Sequence, residues 1–412
     1  MGKDAKKPKK NEKASILEKP LTRRDFIKGA VVGGVGLAIG VYTLNKLLST
    51  PQPAPRPQKQ GSPKVETGVG VEKLWRWSRE GYYQVKLGEN VQCQVCPNRC
   101  LLQPGQRSVC RVKTNLEGKI YTLAYGNPCA VHVDPVEKKP LFHFLPGTKA
   151  FSIATAGCNF RCLNCQNWTI SQRRPEDTRN YDLMPEKVVE AAVSSGAISI
   201  AYTYSEPVAF YEYMLDTSRI AKKRGIKNIW VTNGYINKKP LLELCKYIDA
   251  ANVDLKSFKE SIYNRLNAGR LQPVLDTLKT LREAGTWFEV TNLVVPTWTD
   301  DLEMIAEMCE WLLKNLGPDY PLHFSRFHPH YKLTHLPPTP VDTLEKAMET
   351  AKETGINYVY IGNVPGHRAQ NTFCPACNQL IIKRRGYRII ENKLVDGRCP
   401  HCDNPIPGVW KP

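Results

Sequence analysis

Between Phe151 and Asn363 short apolar runs alternate with longer amphipathic ones, and this rhythm limits the possible fold more than any other feature of the chain. The runs FSIATAG, AISIAYTY, KNIWVTNG, AANVDLK, FEVTNLVVP, LHFSRFHP and NYVYIGN have strand length and strand composition. Between them PEKVVEAAVSSG, VAFYEYMLDTSRIAKKRG, KPLLELCKYI, PVLDTLKTLREAG, LEMIAEMCEWLLKNLG and EKAMETAKETG repeat apolar residues at helical spacing. Pro185 and Glu186 open the first of these helices and Gly196 follows it, the expected punctuation. Strands joined through helices run parallel, so the reading is α/β, a barrel or an open sheet. There is no internal repeat beyond this alternation.

In such folds the chemistry gathers where strands end. The first strand runs into GCNFRCLNCQNW, residues 157–168, which sets Cys158, Cys162 and Cys165 in a C-x3-C-x2-C spacing. Ser205 and Glu206 follow the second strand, Asn233 and Gly234 the third, Asp254 and Lys256 the fourth, and His328 a later one. Three thiolates hold three corners of a [4Fe–4S] cube and leave one iron open for an exogenous ligand, whereas an electron-transfer cluster takes four. The alternatives are bland. A zinc ion held by the three cysteines would need a distant fourth ligand such as His132 or Cys129. Asp254 and Lys256 would make a surface ion pair, and His328 a satisfied loop histidine.

The loop, and the words DPVEKKPLFHFLPGTKAFSIATAGCNFRCLNCQNWTIS, AYTYSEP, VTNGYI, DLKSF and NLVVPTWTDD, resemble the radical S-adenosylmethionine (SAM) enzyme of the AmmeMemoRadiSam system. That group is related to pyruvate formate-lyase activating enzymes. The resemblance runs from about Cys93 to Cys402. It implies a partial (β/α)6 radical SAM barrel, a [4Fe–4S] cluster on Cys158, Cys162 and Cys165, and SAM chelated by the open iron. Reduction would split SAM into methionine and a 5′-deoxyadenosyl radical that abstracts hydrogen. It further implies that Glu206 accepts from the SAM ammonium, that Asp254 and Lys256 contact SAM, and that Asn233 and His328 lie near it. A low-potential electron donor and a protein or small-molecule substrate follow, with the AmmeMemoRadiSam-system proteins as candidate partners. Two departures stand out. Asn164 precedes the third cysteine, where an aromatic residue is common, and Tyr204-Ser205-Glu206-Pro207 replaces G-G-E-P.

The chain has fourteen cysteines, and two further groups carry metal-ligand spacing. Cys374, Cys377, Cys399 and Cys402 form paired C-x2-C knuckles around two short strands, a zinc-ribbon pattern that favours zinc over an auxiliary [4Fe–4S] cluster. Cys93, Cys96, Cys100 and Cys110 offer four more ligands, for zinc or a second Fe–S cluster, with a disulfide at Cys110 or Cys129 as the alternative in an oxidising compartment. Cys245 and Cys309 stand alone in apolar helices and read as buried structural thiols.

Formal net charge is +19, and residues 1–64 contribute +10 of it, so the basic balance does not argue for nucleic acid. LTRRDFIKGAVVGGVGLAIGVYTL, residues 21–44, reads as a twin-arginine signal, with Arg23 and Arg24 before Phe26 and an apolar stretch. No A-x-A site follows, which suggests an N-terminal anchor beyond which the protein is exported, with a cytoplasmic protein as the alternative. The resulting plan is a basic tail and signal at 1–48, a Pro-rich linker at 49–72, an N-terminal Cys-rich module at 73–150, the barrel at 151–368 and a zinc-ribbon-like module at 369–412. A second functional class fits the same residues: an exported iron–sulfur electron carrier or zinc-stabilised interaction protein without SAM chemistry.

Overall fold

The structure, a computed structural model, describes residues 59–60 and 75–412. The basic tail and the twin-arginine segment lie outside the described residues. Within the linker, Lys59–Gln60 pairs antiparallel with Asn180–Tyr181.

An eight-stranded sheet forms the centre. Its strands are β1 (Ala130–Pro135), β2 (Lys149–Ala154), β3 (Ser199–Tyr202), β4 (Lys227–Thr232), β5 (Ala250–Asp254), β6 (Trp287–Val294), β7 (Leu322–Arg326) and β8 (Val359–Gly362). They lie side by side in chain order, β1 to β8. Seven are parallel, β2 to β8, and β1 runs antiparallel to β2 at one edge. The helices between them are α1 (Pro185–Ser194), α2 (Tyr211–Lys223), α3 (Lys238–Cys245), α4 (Gln272–Glu283), α5 (Leu302–Leu316) and α6 (Val341–Thr354). The seven apolar runs thus become the seven parallel strands, one more than a (β/α)6 count. The ladder runs from edge to edge, with no pairing between β1 and β8.

Parallel strands covered on both faces are apolar throughout, and β3 is buried at all four residues. The helices bury one stripe each. In α4, Val274, Leu275, Leu278 and Leu281 recur at three- and four-residue steps and face the core. Asp301 caps α5 by accepting from the Glu303 N–H at 3.1 Å. Register aligns the strand ends, with Thr232 opposite Val253 and Asp254 opposite Thr291. The residues just past those ends therefore share one rim.

Ahead of the sheet sit two small antiparallel sheets. One joins Gln84–Leu87, Asn90–Cys93 and Leu101–Leu102; the other joins Arg79–Glu80, Lys119–Thr122 and Lys113–Leu116. A buried ion pair, Lys113 Nζ to Glu212 Oε1 at 2.6 Å, ties them to α2, and the same oxygen accepts from the Tyr82 N–H. Truncating one partner of such a pair strands the other charge and costs about 3–5 kcal/mol.

Beyond β8 the chain forms the hairpin β9 (Leu380–Arg385) and β10 (Arg388–Asn392). Buried Arg384 fixes it to the sheet: Nη2 donates to the Phe142 carbonyl at 2.8 Å, Nη1 to Thr372 Oγ1 at 2.7 Å, and the guanidinium lies 4.3 Å from the Phe142 ring centre. None of the fourteen cysteines forms a disulfide, so the disulfide alternative at Cys110 or Cys129 has no counterpart. Cys309 is buried as expected, but Cys245, the last residue of α3, is only half-buried.

Candidate active site

The loop after β2 departs from the sheet at Gly157, whose φ is +98°. A Cβ there would meet Val112 Cγ1 at 2.4 Å and the Cys110 carbonyl at 2.5 Å, so only glycine fits. Phe160 anchors the loop. It is fully buried, its ring 4.9 Å from that of Tyr235, and it fills the space a side chain on Gly269 would need.

Cys158, Cys162 and Cys165 open onto one cavity of about 550 Å³, together with Glu206, Asn233, Asp254 and Lys256. Each thiol has a polar partner. The Phe160 N–H donates to Cys158 Sγ at 3.3 Å, Asn267 Nδ2 to Cys162 Sγ at 3.2 Å, and Ser171 Oγ lies 3.1 Å from Cys165 Sγ. Donors aimed at sulfur favour the thiolate, the form that binds metal. Burial acts the other way: it lifts the Cys158 thiol well above its ordinary range, with Glu206 adding to the rise. Burial pushes Cys162 up to about 11, against the pull of the Lys256 ammonium. Loading iron here would therefore release protons.

Glu206, from the loop after β3, is buried. Its Oε1 accepts from Thr232 Oγ1 at 2.7 Å and the Val208 N–H at 3.0 Å, and its Oε2 from the Asn233 N–H at 2.8 Å. Burial pushes its carboxyl up to about 7. Glu206 lines the cavity, and Oε2 accepts one hydrogen bond of the two it can take. Asn233 Nδ2 donates to Asn159 Oδ1 at 2.8 Å, and Asn159 Nδ2 to the Tyr235 carbonyl at 2.9 Å, which braces the Cys158 end of the loop. Lys256 Nζ lies 2.8 Å from Asp254 Oδ2; burial lowers the ammonium pKa, but Asp254 and Cys162 outweigh burial and hold it above the usual lysine value.

The Y-S-E-P word keeps the backbone shape a glycine would give. Tyr204 has φ +64°, and its carbonyl accepts from Asn167 Nδ2 at 2.7 Å while its hydroxyl bonds to Asp134. His328 lies apart from the thiols. It lines an adjoining cavity of about 360 Å³ with Arg326 and His330, and Asn164 borders both spaces. So does Tyr387, at the tip of the β9–β10 hairpin.

At the far end of the chain, the donor atoms of Cys374, Cys377, Cys399 and Cys402 all lie within 4.8 Å of one another. Cys374 Sγ and Cys402 Sγ are 3.6 Å apart, and Cys377 Sγ and Cys399 Sγ 3.7 Å. Zn–S bonds of about 2.3 Å in a tetrahedron separate the sulfurs by about 3.8 Å. The four thiols fit one tetrahedral ion. Among the described residues no other group of three or more Cys, His, Asp or Glu side chains is drawn this close.

The sequence from 152 to 312 matches the radical SAM superfamily. An uncharacterized protein of Methanocaldococcus jannaschii is 46% identical over 331 residues, spanning 80% of this chain and 98% of that protein. The pyruvate formate-lyase 1-activating enzyme of Escherichia coli K12 is 24% identical over 214 residues, 48% of this chain and 87% of the enzyme. The chain belongs to the radical SAM superfamily. It is an enzyme, and membership implies a [4Fe–4S] cluster and SAM. Among solved structures, a domain of a pyruvate formate-lyase-activating enzyme from Bacteroides vulgatus ATCC 8482 is 16% identical, covers 40% of this radical SAM chain and 98% of its own, and aligns with a TM-score of 0.35.

Sequence reading missed Asn159, Ser171 and Asn267, the polar partners around the thiols. Asn159 lies inside the cysteine motif, a signal that was available. Asn267 lies over a hundred residues away, at the end of a short helical segment, Tyr263–Asn267, that carries no motif.

Proposed function

We propose that this enzyme cleaves SAM reductively at a cluster on Cys158, Cys162 and Cys165 and uses the product to abstract hydrogen from a substrate. The observation that carries the reading is the opening of three hydrogen-bonded thiols onto the cavity that also contains Glu206, Asn233, Asp254 and Lys256. When bound, the cluster and SAM supply methionine and a 5′-deoxyadenosyl radical. The chain's own residues bind and orient. Glu206 would accept from the SAM ammonium, Asp254 and Lys256 would engage its polar groups, and Asn233 holds the loop in place through Asn159. His328 and Asn164 border the space beyond, where the nucleoside and the substrate would lie. Phe142, Val231 and Leu293 supply apolar wall in a lining that is otherwise largely polar.

The similarity to activating enzymes favours a protein substrate, with glycyl-radical activation as the closest chemistry, and the quoted sequence words favour the AmmeMemoRadiSam subgroup. A low-potential electron donor is required. The C-terminal four thiols hold zinc, on the strength of their tetrahedral spacing.

The test is direct. Anaerobically reconstituted, reduced protein given SAM should release 5′-deoxyadenosine, and the variant with Cys158, Cys162 and Cys165 all changed to Ala should release none. Equal release by both would remove the assignment.

A further inference from the structure

Thiols gather in one more place. Cys93, Cys96 and Cys100 stand at gaps of two and three residues, the gaps of the catalytic loop in reverse order. The Cys93 N–H donates to the Cys100 carbonyl at 2.9 Å and the Arg99 N–H to the Cys96 carbonyl at 3.0 Å, which folds the loop onto itself. Cys110 arrives from the following turn, its Sγ 3.0 Å from Ser108 Oγ. Cys93 and Cys110 are buried, Cys96 and Cys100 pack against the same core, and each of the four is within electrostatic reach of the other three. The ammonium of Lys113, itself buried, faces Cys93 and Cys110.

Two comparisons within the molecule decide what such a site takes. The C-terminal thiols are drawn to the spacing of one ion; the N-terminal four converge without reaching it. Thiolates at the corners of a multi-iron cluster stand farther apart than those around a single zinc. The catalytic loop offers three thiols to its cavity, whereas this site offers four.

The site also touches the catalytic loop. The Cys110 carbonyl is one of the two atoms that forbid a side chain on Gly157. Asn98 Nδ2 donates to the Asn159 carbonyl at 2.9 Å. The Arg111 guanidinium faces both Cys110 and Cys158 and donates to Gln172 Oε1 at 2.9 Å.

We propose that Cys93, Cys96, Cys100 and Cys110 hold a second iron–sulfur cluster of the [4Fe–4S] class, ligated by four thiolates and lying against the catalytic loop. Full ligation leaves no iron open, so this centre does not bind SAM. The proposal rests on the four thiols and does not require the SAM chemistry of its neighbour.

The full chain with Cys158, Cys162 and Cys165 changed to Ala, reconstituted anaerobically with iron and sulfide, isolates the site. It should carry about four iron atoms and about one zinc per chain. Reduced with dithionite, it should show the electron-paramagnetic signal of a half-integer-spin cluster, unchanged by SAM. Iron-free protein with about two zinc atoms would overturn the proposal. A signal that SAM alters would also overturn it. If the triple variant fails to fold, the wild-type protein decides by itself: about eight iron atoms and one zinc support the second cluster, and about four iron and two zinc reject it. Iron in the triple variant alongside wild-type protein that makes no 5′-deoxyadenosine would sink the SAM reading and leave this one standing.

Discussion

Glu206 shows how one side chain is given two tasks. Two of its three hydrogen bonds, from Thr232 Oγ1 and the Asn233 N–H, tie the loop after β3 to the end of β4, and burial leaves its carboxyl near the midpoint of its titration at neutral pH. The raised pKa means the protonated form is favoured below about 7, and only the carboxylate attracts an ammonium. SAM affinity should therefore fall as pH drops through about 7. Glu206→Gln should weaken binding at pH 8 by roughly 10- to 100-fold, the worth of a hydrogen bond to a charged group, and flatten the pH dependence. Equilibrium dialysis of reconstituted protein from pH 6 to 8 checks this; a slope that survives in the variant assigns the titration elsewhere. Glu206, Asp254 and Lys256 were legible in the sequence because each stands at the C-terminal end of a strand or within four residues of it. Asn267 and Ser171 were not, since their link to a sulfur exists only after the chain closes around it.

Among the elements, the loop that holds the thiols depends on a glycine distant from it. A Cβ on Gly269 would fall 2.3 Å from Phe160 Cε1, and the Phe160 ring has no room to retreat between Tyr235 and Tyr263. Gly269→Ala should cost about 1–3 kcal/mol of stability by overpacking. It should also speed loss of iron from the protein under a chelator. Chemical denaturation and the bleaching rate measure the two effects, and wild-type values in both would show that the loop does not lean on this contact. The alternation of strands and helices was readable throughout, because a strand buried on both faces and a one-stripe helix leave different patterns. The antiparallel strand β1 was not, because AVHVDP alternates weakly and its partner is chosen by the sheet edge it covers. The seventh parallel strand was present in the sequence as NYVYIGN, although the resemblance alone counted six.

Across the whole molecule, two modules flank the sheet and each carries its own thiols. The C-terminal module should depend on its metal. Cys399→Ser with Cys402→Ser should abolish zinc binding and expose the β9–β10 hairpin to limited proteolysis, while iron content stays at the wild-type level. Cleavage rates equal to wild type would mean that Arg384 and its contacts suffice to hold the hairpin. Among the described residues no helix is long and apolar enough to cross a membrane. The twin-arginine reading of residues 21–44 predicts that a C-terminal reporter fusion reaches the far side of the membrane, and that Arg23→Lys with Arg24→Lys retains it inside. A wild-type fusion found only in the cytosol would remove that reading.

Tyr387 links the two chemistries of this chain. It stands at the tip of a hairpin whose base is knotted by four thiols, and it borders both cavities at the rim where the sheet ends. On the proposed reading, part of the wall beside the reacting centre is thus supplied by a module that takes no part in the reaction. If the four thiols hold zinc as proposed, a cell starved of zinc but replete in iron would produce a chain with its chemistry intact and an unguarded entrance, so the supply of one metal would govern the fidelity of a reaction run by another.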